Sequence, residues 1–442
     1  MKILFSPVGM TDPIRYFKDG ALPNICRNYC PDKIYLYMSK EVIAFHEKDN
    51  RYLFCLEKLG ELIDKKFETE LIMRPDLEDV QIFDGFLSDF RTELTKIHTL
   101  YPDAEILLNV SSGTPAMKSS LQVLSLTMNF RCLPIQVSTP QKSSNPRIDE
   151  EKDLTPEEHW ELNESNDFDD DRCIASPAKN LLEEFEKQSI IKLINSYDYA
   201  AAYSIAAESE MFSDKVKELL SAAASRLKLE PKARNIFRKY NIQGIFIKSS
   251  EPVITDISEY LLLLKIKVIK QEYADFLRSI TPVLVDLFSL YLKNKCGFDI
   301  SEYTNTDKNN LMKWDVSKLS GTKELVILNN KYSYQGGFKD NSPVYSDALS
   351  EIIEKNPPDP GAGAIAYSLR NDVEKEFRNK AAHTIISITD EKVRSYTGMT
   401  SDEIFRKLVK MFEFCGYRLN ERSYDKMNEI LLSEIELRKE GC

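Results

Sequence analysis

An α/β Rossmann-like amino-terminal domain followed by an all-α domain is predicted from three observations. Residues 1 to about 140 alternate short β-rich runs with helical stretches, the pattern of βαβ units around a mainly parallel sheet. Pro134, Pro140, Pro146 and the acidic run from Asp149 to Asp171 then interrupt that alternation. From about Pro177 onward apolar residues recur every three or four positions, as in Leu182–Phe185 and Ile404–Leu408–Phe412.

Each element follows from its own pattern. Strands are expected at Lys2–Ser6, Lys33–Met38, Glu70–Met73, Glu105–Val110 and Cys132–Val137, and helices at Tyr52–Leu62, Phe83–Thr99 and Ala116–Thr127. Residues 1–145 form the first domain, 146–175 an acidic linker or exposed loop, and 176–442 the helical domain. Within the last, Lys323–Tyr332 is expected as a small hairpin. Pro357-Pro358-Asp359-Pro360-Gly361 is expected as a loop that delivers a helix beginning near Ala364.

The 442 residues exceed the roughly 100–200 of one domain. With 42% hydrophobic and 29% charged residues, each domain can bury a core. The opening Met1–Pro7 reads as a strand rather than a secretory signal, and the apolar runs Tyr260–Leu264 and Pro282–Leu292 fall short of the ~18 residues of a membrane span, so a cytoplasmic location is expected. Eight cysteines contain no Cys-x-x-Cys pair, and Cys26 and Cys30 have no nearby histidine, so reduced structural thiols are expected and no metal site. The net charge of −11 argues against a protein coated in nucleic acid. Two basic segments remain, Arg226-to-Lys239 and Lys375-to-Lys380, each able to hold phosphate or simply to face solvent.

Two loops at predicted strand ends carry candidate binding chemistry: Pro7–Pro13 after the first strand and Asn109–Lys118 after the fourth. In a doubly wound sheet both open on the carboxyl edge, where ligands sit. Small hydroxyl residues, Gly113, a following helix and Lys118 suit a phosphate; ordinary capped turns would use the same residue types. Neither loop contains a Gly-x-Gly-x-x-Gly or a Walker Gly-Lys-Ser/Thr, which argues against a nicotinamide dehydrogenase or a P-loop ATPase.

Together, Phe5–Pro13 and Asn109–Lys118 resemble the CRISPR-associated Rossmann fold (CARF) domain over roughly the first 140 residues. The resemblance implies a homodimer holding a cyclic oligoadenylate across its two-fold axis. Its pocket would comprise Gly9, Met10, Thr11, Asp12, Asn109, Ser111, Ser112, Gly113, Thr114 and Lys118. Some such domains slowly cleave their activator, which singles out Asp12 and Thr114.

In the helical half, Glu376-Phe377-Arg378-Asn379-Lys380-Ala381-Ala382-His383 holds one of only four histidines, on an amphipathic helix whose core face is Leu369, Val373, Phe377 and Ala381. Histidine moves protons near neutral pH and guanidinium presents a permanent planar charge to phosphate oxygens, the two needs of RNA cleavage by its own 2′-hydroxyl. Asn379 would position the phosphate or hold the His383 tautomer. Five residues at about 100° each set Arg378 and His383 roughly 140° apart, so one straight helix cannot pair them and a composite centre across a dimer axis would. His46, His98, His159 and Trp314 are read as structural, and Tyr332 and Tyr334 as possible RNA contacts.

The Arg-(four to six residues)-His element resembles HEPN ribonucleases, which implies two copies of Arg378, Asn379 and His383 lining one cleft. Domain order and both motif sets resemble the Csm-type CARF–HEPN effectors of type III-A CRISPR systems. That family implies a cytoplasmic, cofactor-free endoribonuclease, activated by cyclic oligoadenylate (hexa-adenylate favoured over tetra-adenylate), cutting single-stranded RNA nonspecifically without stable association with the interference complex. Two alternatives stay open: a noncatalytic nucleotide-responsive regulator, for which no convincing helix-turn-helix follows residue 172, and a HEPN toxin without an activator.

Overall fold

The computed structural model describes residues 1–9, 12–139, 154–168, 170–176, 179–308, 311–355, 357–377 and 387–437. The chain divides into two compact units, Met1–Glu184 and Phe185–Cys442.

The first unit is built on β1 (Lys2–Pro7), a short hairpin of β2 (Ile14–Arg15) and β3 (Lys18–Asp19), α1 (Ala21–Tyr29), β4 (Lys33–Ser39), α2 (Lys40–Asp49), α3 (Arg51–Ile63) and β5 (Glu68–Arg74). It continues with α4 (Phe83–Leu100), β6 (Glu105–Asn109), α5 (Pro115–Thr127), β7 (Cys132–Val137), α6 (Pro156–Glu161) and β8 (Cys173–Ala175). Five strands pair in parallel in the order β5-β4-β1-β6-β7, and β8 adds an antiparallel edge. All five expected strands are present.

Alternate side chains of each strand enter different cores, as the two-residue period requires. Ile3, Phe5, Tyr35, Tyr37, Ile106 and Leu108 pack under α4 and α5, while Leu4, Ile34, Leu36 and Leu107 pack under α1 and α3. Burial on both faces makes the strands read as continuous apolar runs. Tyr37 and Phe5 meet Phe90 edge-on at 4.8 and 5.3 Å, contacts worth about 0.5–1.5 kcal/mol each beyond area burial.

The acidic stretch departs from the expected linker in its described part. Thr155 caps α6, accepting from the Glu158 backbone at 3.3 Å, and β8 pairs Val137 with Cys173 and Ile135 with Ala175. Asn163 Nδ2 donates to Asp19 at 2.7 Å and the Glu164 N–H to the Phe17 carbonyl at 2.8 Å. These bonds sew residues 154–175 onto the first unit, because its edge strand and its buried Asp19 need partners.

The second unit has one hydrophobic core, contributed chiefly by the helices Asp214–Leu227, Pro252–Ile269, Ile280–Cys296, Ser401–Phe414 and Ser423–Glu436. Trp314 is fully buried, as expected. The expected hairpin at Lys323–Tyr332 is instead a helix, Lys323–Lys331. Its Leu-Val-Ile-Leu run looks strand-like, yet Thr322 caps it through the Leu325 N–H and the buried Glu324 and Leu328 stand four apart while Val326 stays exposed. The small hairpin lies earlier, pairing Thr304–Thr306 with Met312–Trp314. The helix expected near Ala364 begins at Pro360, since proline suits the first helical turn and Asp359 accepts the Gly361 N–H at 2.9 Å.

Candidate functional site

β1 is the switch point of the sheet: α1 carries the chain to β4 on one side, and the later return to β6 lies on the other. Loops leaving the carboxyl ends of β1 and β6 therefore emerge side by side, where open α/β sheets bind ligands. A Cβ at Gly9 would come 3.3 Å from the Gly113 nitrogen, and Gly113 has φ +81°, so the two glycines permit this approach.

Asn109, fully buried at the end of β6, ties the loops together. Its Nδ2 donates to the Ser6 and Ser112 hydroxyls at 2.9 and 2.8 Å, and its Oδ1 accepts the N–H groups of Ser111 and Ser112 at 2.9 and 3.2 Å. Thr114 caps α5, accepting the Met117 N–H at 3.3 Å and donating its hydroxyl to the Val80 carbonyl at 2.7 Å. Asp12 is buried, with Oδ1 accepting the Leu22 N–H at 3.1 Å and Oδ2 left without a hydrogen bond among the described residues. Burial raises its carboxyl pKa above the ordinary value, partly offset by the Ser112 hydroxyl and by Lys118.

Of the expected pocket residues, Ser111 and Lys118 line a cleft of about 210 Å³. Asn109, Ser112 and Asp12 are buried, Thr114 is half-buried at the start of α5, and Met10 and Thr11 lie outside the described residues. The sequence reading passed over the other lining residues, among them Arg15, Tyr16, Asp19 and Arg172. The Arg15 guanidinium lies 5.0 Å from the Tyr16 ring centre, at a hairpin tip where both Tyr16 and Phe17 have positive φ (55° and 54°). Non-glycine residues in that region cost roughly 1–2 kcal/mol each, a strain that tends to collect at functional sites. Arg172 reaches the cleft from the acidic stretch, bonding Asp170 at 2.9 Å and the Ser138 and Asp19 carbonyls at 2.8 and 2.5 Å. No local motif marks these residues. With Lys118, Arg15, Tyr16 and Arg172 give the cleft three cationic side chains and a flat ring, beside Asp19, whose carboxylate Arg27 pairs at 2.9 Å; cations and a ring suit a phosphate and a base.

Arg378, Asn379 and His383 lie outside the described residues. The approach to them is described: the Pro360–Tyr367 helix widens into a π-helical stretch, Ser368–Lys375, and returns to α-helix at 376–377. Such π turns are rare and often mark functional sites. Leu369, Val373 and Phe377 are buried, as the expected core face requires. Opposite them, Arg370 meets Asp347 at 3.3 Å and Glu374 at 3.6 Å; Asp347 also accepts the Tyr332 hydroxyl at 2.6 Å, and the Ser346 hydroxyl bonds Glu374.

In the basic segment at 226–239, Arg226 is buried in a two-point pair with Glu259 at 2.7 and 3.0 Å. Lys232, Arg234 and Lys239 form surface ion pairs, Lys232 with Glu230 and Lys239 with Glu218. His98 stacks on Phe130 at 4.0 Å, and His46 is buried in α2, where burial lowers its pKa. The described cysteines are free thiols; burial pushes Cys132, Cys173 and Cys415 up to about 12. Among the described residues, no helix is long and apolar enough to cross a membrane.

A Rossmann-like sheet with a cleft carrying cationic side chains at its switch point, followed by a predominantly helical unit, defines a nucleotide-sensing α/β domain joined to a helical effector domain. Residues 68–173 match the Cas_Csm6 CARF domain, 176–227 the Csm6 6H domain and 246–432 the Cas_Csm6 HEPN domain. The chain belongs to the Csm6 family of CARF–HEPN proteins. It is 29% identical over 98% of its length to 99% of the CRISPR system endoribonuclease Csm6 of Mycobacterium tuberculosis, and 25% identical over 98% to all of the Enterococcus italicus protein of the same name. The solved structure of Enterococcus italicus Csm6 bound to cyclic hexa-2′-fluoro-hexa-dAMP shares the fold, with a TM-score of 0.69 at 19% identity over 98% of this chain and 100% of that one. The CARF match runs to residue 173, so it takes in Arg172 and the first residue of β8.

Proposed function

We propose that the chain is an endoribonuclease of type III CRISPR defence, switched on by a cyclic oligoadenylate bound at the switch-point cleft. The observation that carries this reading is the cleft itself: Arg15, Lys118 and Arg172 beside Ser111 and Tyr16, in a domain of the Csm6 CARF type. Two protomers pair about a common axis, so that two clefts face one ring. Hexa-adenylate is the favoured ring, and Asp12 and Thr114 are the positions assigned to slow cleavage of the activator.

Catalysis falls to Arg378, Asn379 and His383 from both protomers. His383 takes the proton of the RNA 2′-hydroxyl or delivers one to the leaving oxygen, Arg378 neutralises the crowded phosphorane, and Asn379 orients the phosphate or the imidazole. The nucleophile belongs to the substrate, so single-stranded RNA is cut without a metal ion to 2′,3′-cyclic phosphate and 5′-hydroxyl ends. The protein works in the cytoplasm, free of the interference complex. Activation requires the ring to bind the active arrangement more tightly than the resting one, because equal affinity shifts nothing.

The test is cleavage of fluorescent RNA with rings of three to six adenosines, for wild type, Arg378→Ala and His383→Ala. Cleavage should rise with one ring size and fall about 10²–10⁴-fold in His383→Ala. Activity indifferent to every ring would leave a toxin without an activator, and full activity in His383→Ala would refute the chemistry.

A further inference from the structure

We infer that the loop from Tyr332 to Tyr345 forms a subsite for an unstacked base of the RNA substrate, an inference that rests on the endoribonuclease reading above. Tyr332, Gln335, Phe338, Lys339, Pro343 and Tyr345 line a cleft of about 210 Å³ in the helical unit. That is smaller than the ~300–1,000 Å³ of pockets for drug-sized ligands, and suits a single base.

The cleft is preformed. Gly336 and Gly337 turn the chain at φ +83° and +102°. The Phe338 N–H donates to Asn329 Oδ1 at 2.9 Å, the Trp314 N–H to the Ser342 carbonyl at 2.9 Å, and the Val344 N–H to the Met312 carbonyl at 3.0 Å. Phe338 is wedged between Tyr332 and Trp314, with ring centres 5.5 and 5.9 Å away. On this rigid frame Tyr345 is 57% exposed, an aromatic face held toward solvent at the rim. Lys339 is exposed beside it and has no carboxylate within ion-pair distance among the described residues. A stacking ring with one free cation is the equipment for a base and its phosphate on a single strand, and stacking tolerates any base.

The subsite shares its frame with the helical segment that ends, among the described residues, at Phe377. Tyr345 directly precedes the Ser346–Lys355 helix; Asp347 on that helix holds the Tyr332 hydroxyl, and also meets Arg370 of the π-helical stretch Ser368–Lys375, which Glu376 and Phe377 continue up to Arg378 in sequence. A base stacked on Tyr345 would fix the register in which the strand crosses the cutting centre.

The experiment uses the full chain and a single-stranded 2′-deoxy oligonucleotide carrying one 2-aminopurine, which lacks the attacking hydroxyl. Wild type and Tyr345→Phe should quench its fluorescence on binding, and Tyr345→Ala should not. In ring-activated cleavage, Tyr345→Ala should raise KM for RNA at least about fivefold, the low end for loss of one stacked base, with kcat within about twofold and unchanged ring affinity. Equal quenching and equal KM in Tyr345→Ala overturns the subsite, as does oligonucleotide binding that no variant at Tyr345 or Lys339 alters. If wild type cuts no RNA with any ring while quenching still depends on Tyr345, the activity reading fails and the subsite stands.

Discussion

Replacing Asn109 with alanine tests the proposition that one buried amide holds the ligand-facing loops in place. The substitution removes four hydrogen bonds, two to backbone N–H groups and two from Nδ2 to the Ser6 and Ser112 hydroxyls, at a position with no solvent to replace them. At about 1 kcal/mol net per bond the loss is roughly 3–4 kcal/mol, a large share of the ~5–15 kcal/mol that stabilises a domain. For a unit of this size each kcal/mol moves the melting temperature by about 2–4 °C, so a drop of roughly 6–15 °C is expected. Ser112→Ala, which removes one of the four bonds together with the hydroxyl that bears on Asp12, should cost less than Asn109→Ala. Thermal unfolding of the purified chain reads both, and calorimetric titration with cyclic hexa-adenylate should show weaker binding for Asn109→Ala, each tenfold corresponding to about 1.4 kcal/mol. A variant that melts within about 2 °C of wild type and binds the ring equally well would refute the reasoning.

Two further outcomes follow from buried charges. Asp12 has a carboxyl pKa raised by burial, so its neutral form is favoured in the folded state; stability is fully present below the ordinary carboxylate value and is lost as pH rises through the raised one. Asp12→Asn should therefore match wild type at acid pH and melt progressively higher than wild type as pH increases, and a lead that stays constant with pH would contradict this. Glu259→Gln leaves Arg226, which is 2% exposed and lies 4.2 Å from the Tyr424 ring centre, without its counter-charge at a cost of about 3–5 kcal/mol. The double replacement Arg226→Met with Glu259→Leu should recover most of that loss in denaturant unfolding, and recovery of none would disprove the assignment.

The five parallel strands were legible because burial on both faces imposes apolar runs of strand length, and of the helices beside them α3, α4 and α5 carry clear helical periods, while α1 was not foreseen. The loops after β1 and β6 were legible as well, since glycine, hydroxyl and capping residues stand at the strand ends. Lys323–Lys331 misled because four consecutive apolar residues satisfy either period, and only the packing of Leu328 against the helical core decides between them.

The order of apolar runs and turn residues thus sufficed to specify a two-part chain, a Rossmann-like α/β half followed by a helical half. Which residues share the cleft was settled by tertiary structure alone. Arg15 and Tyr16 arrive through a hairpin bent at positive φ, and Arg172 through a segment whose composition resembles a solvated linker. Likewise, most of the hydroxyls expected to meet ligand turn inward to cap and brace the loops. The reason is physical: local patterns report the energetics of neighbours within a few residues, whereas a switch point exists only once strand order is set, and strand order depends on the packing of groups far apart along the chain.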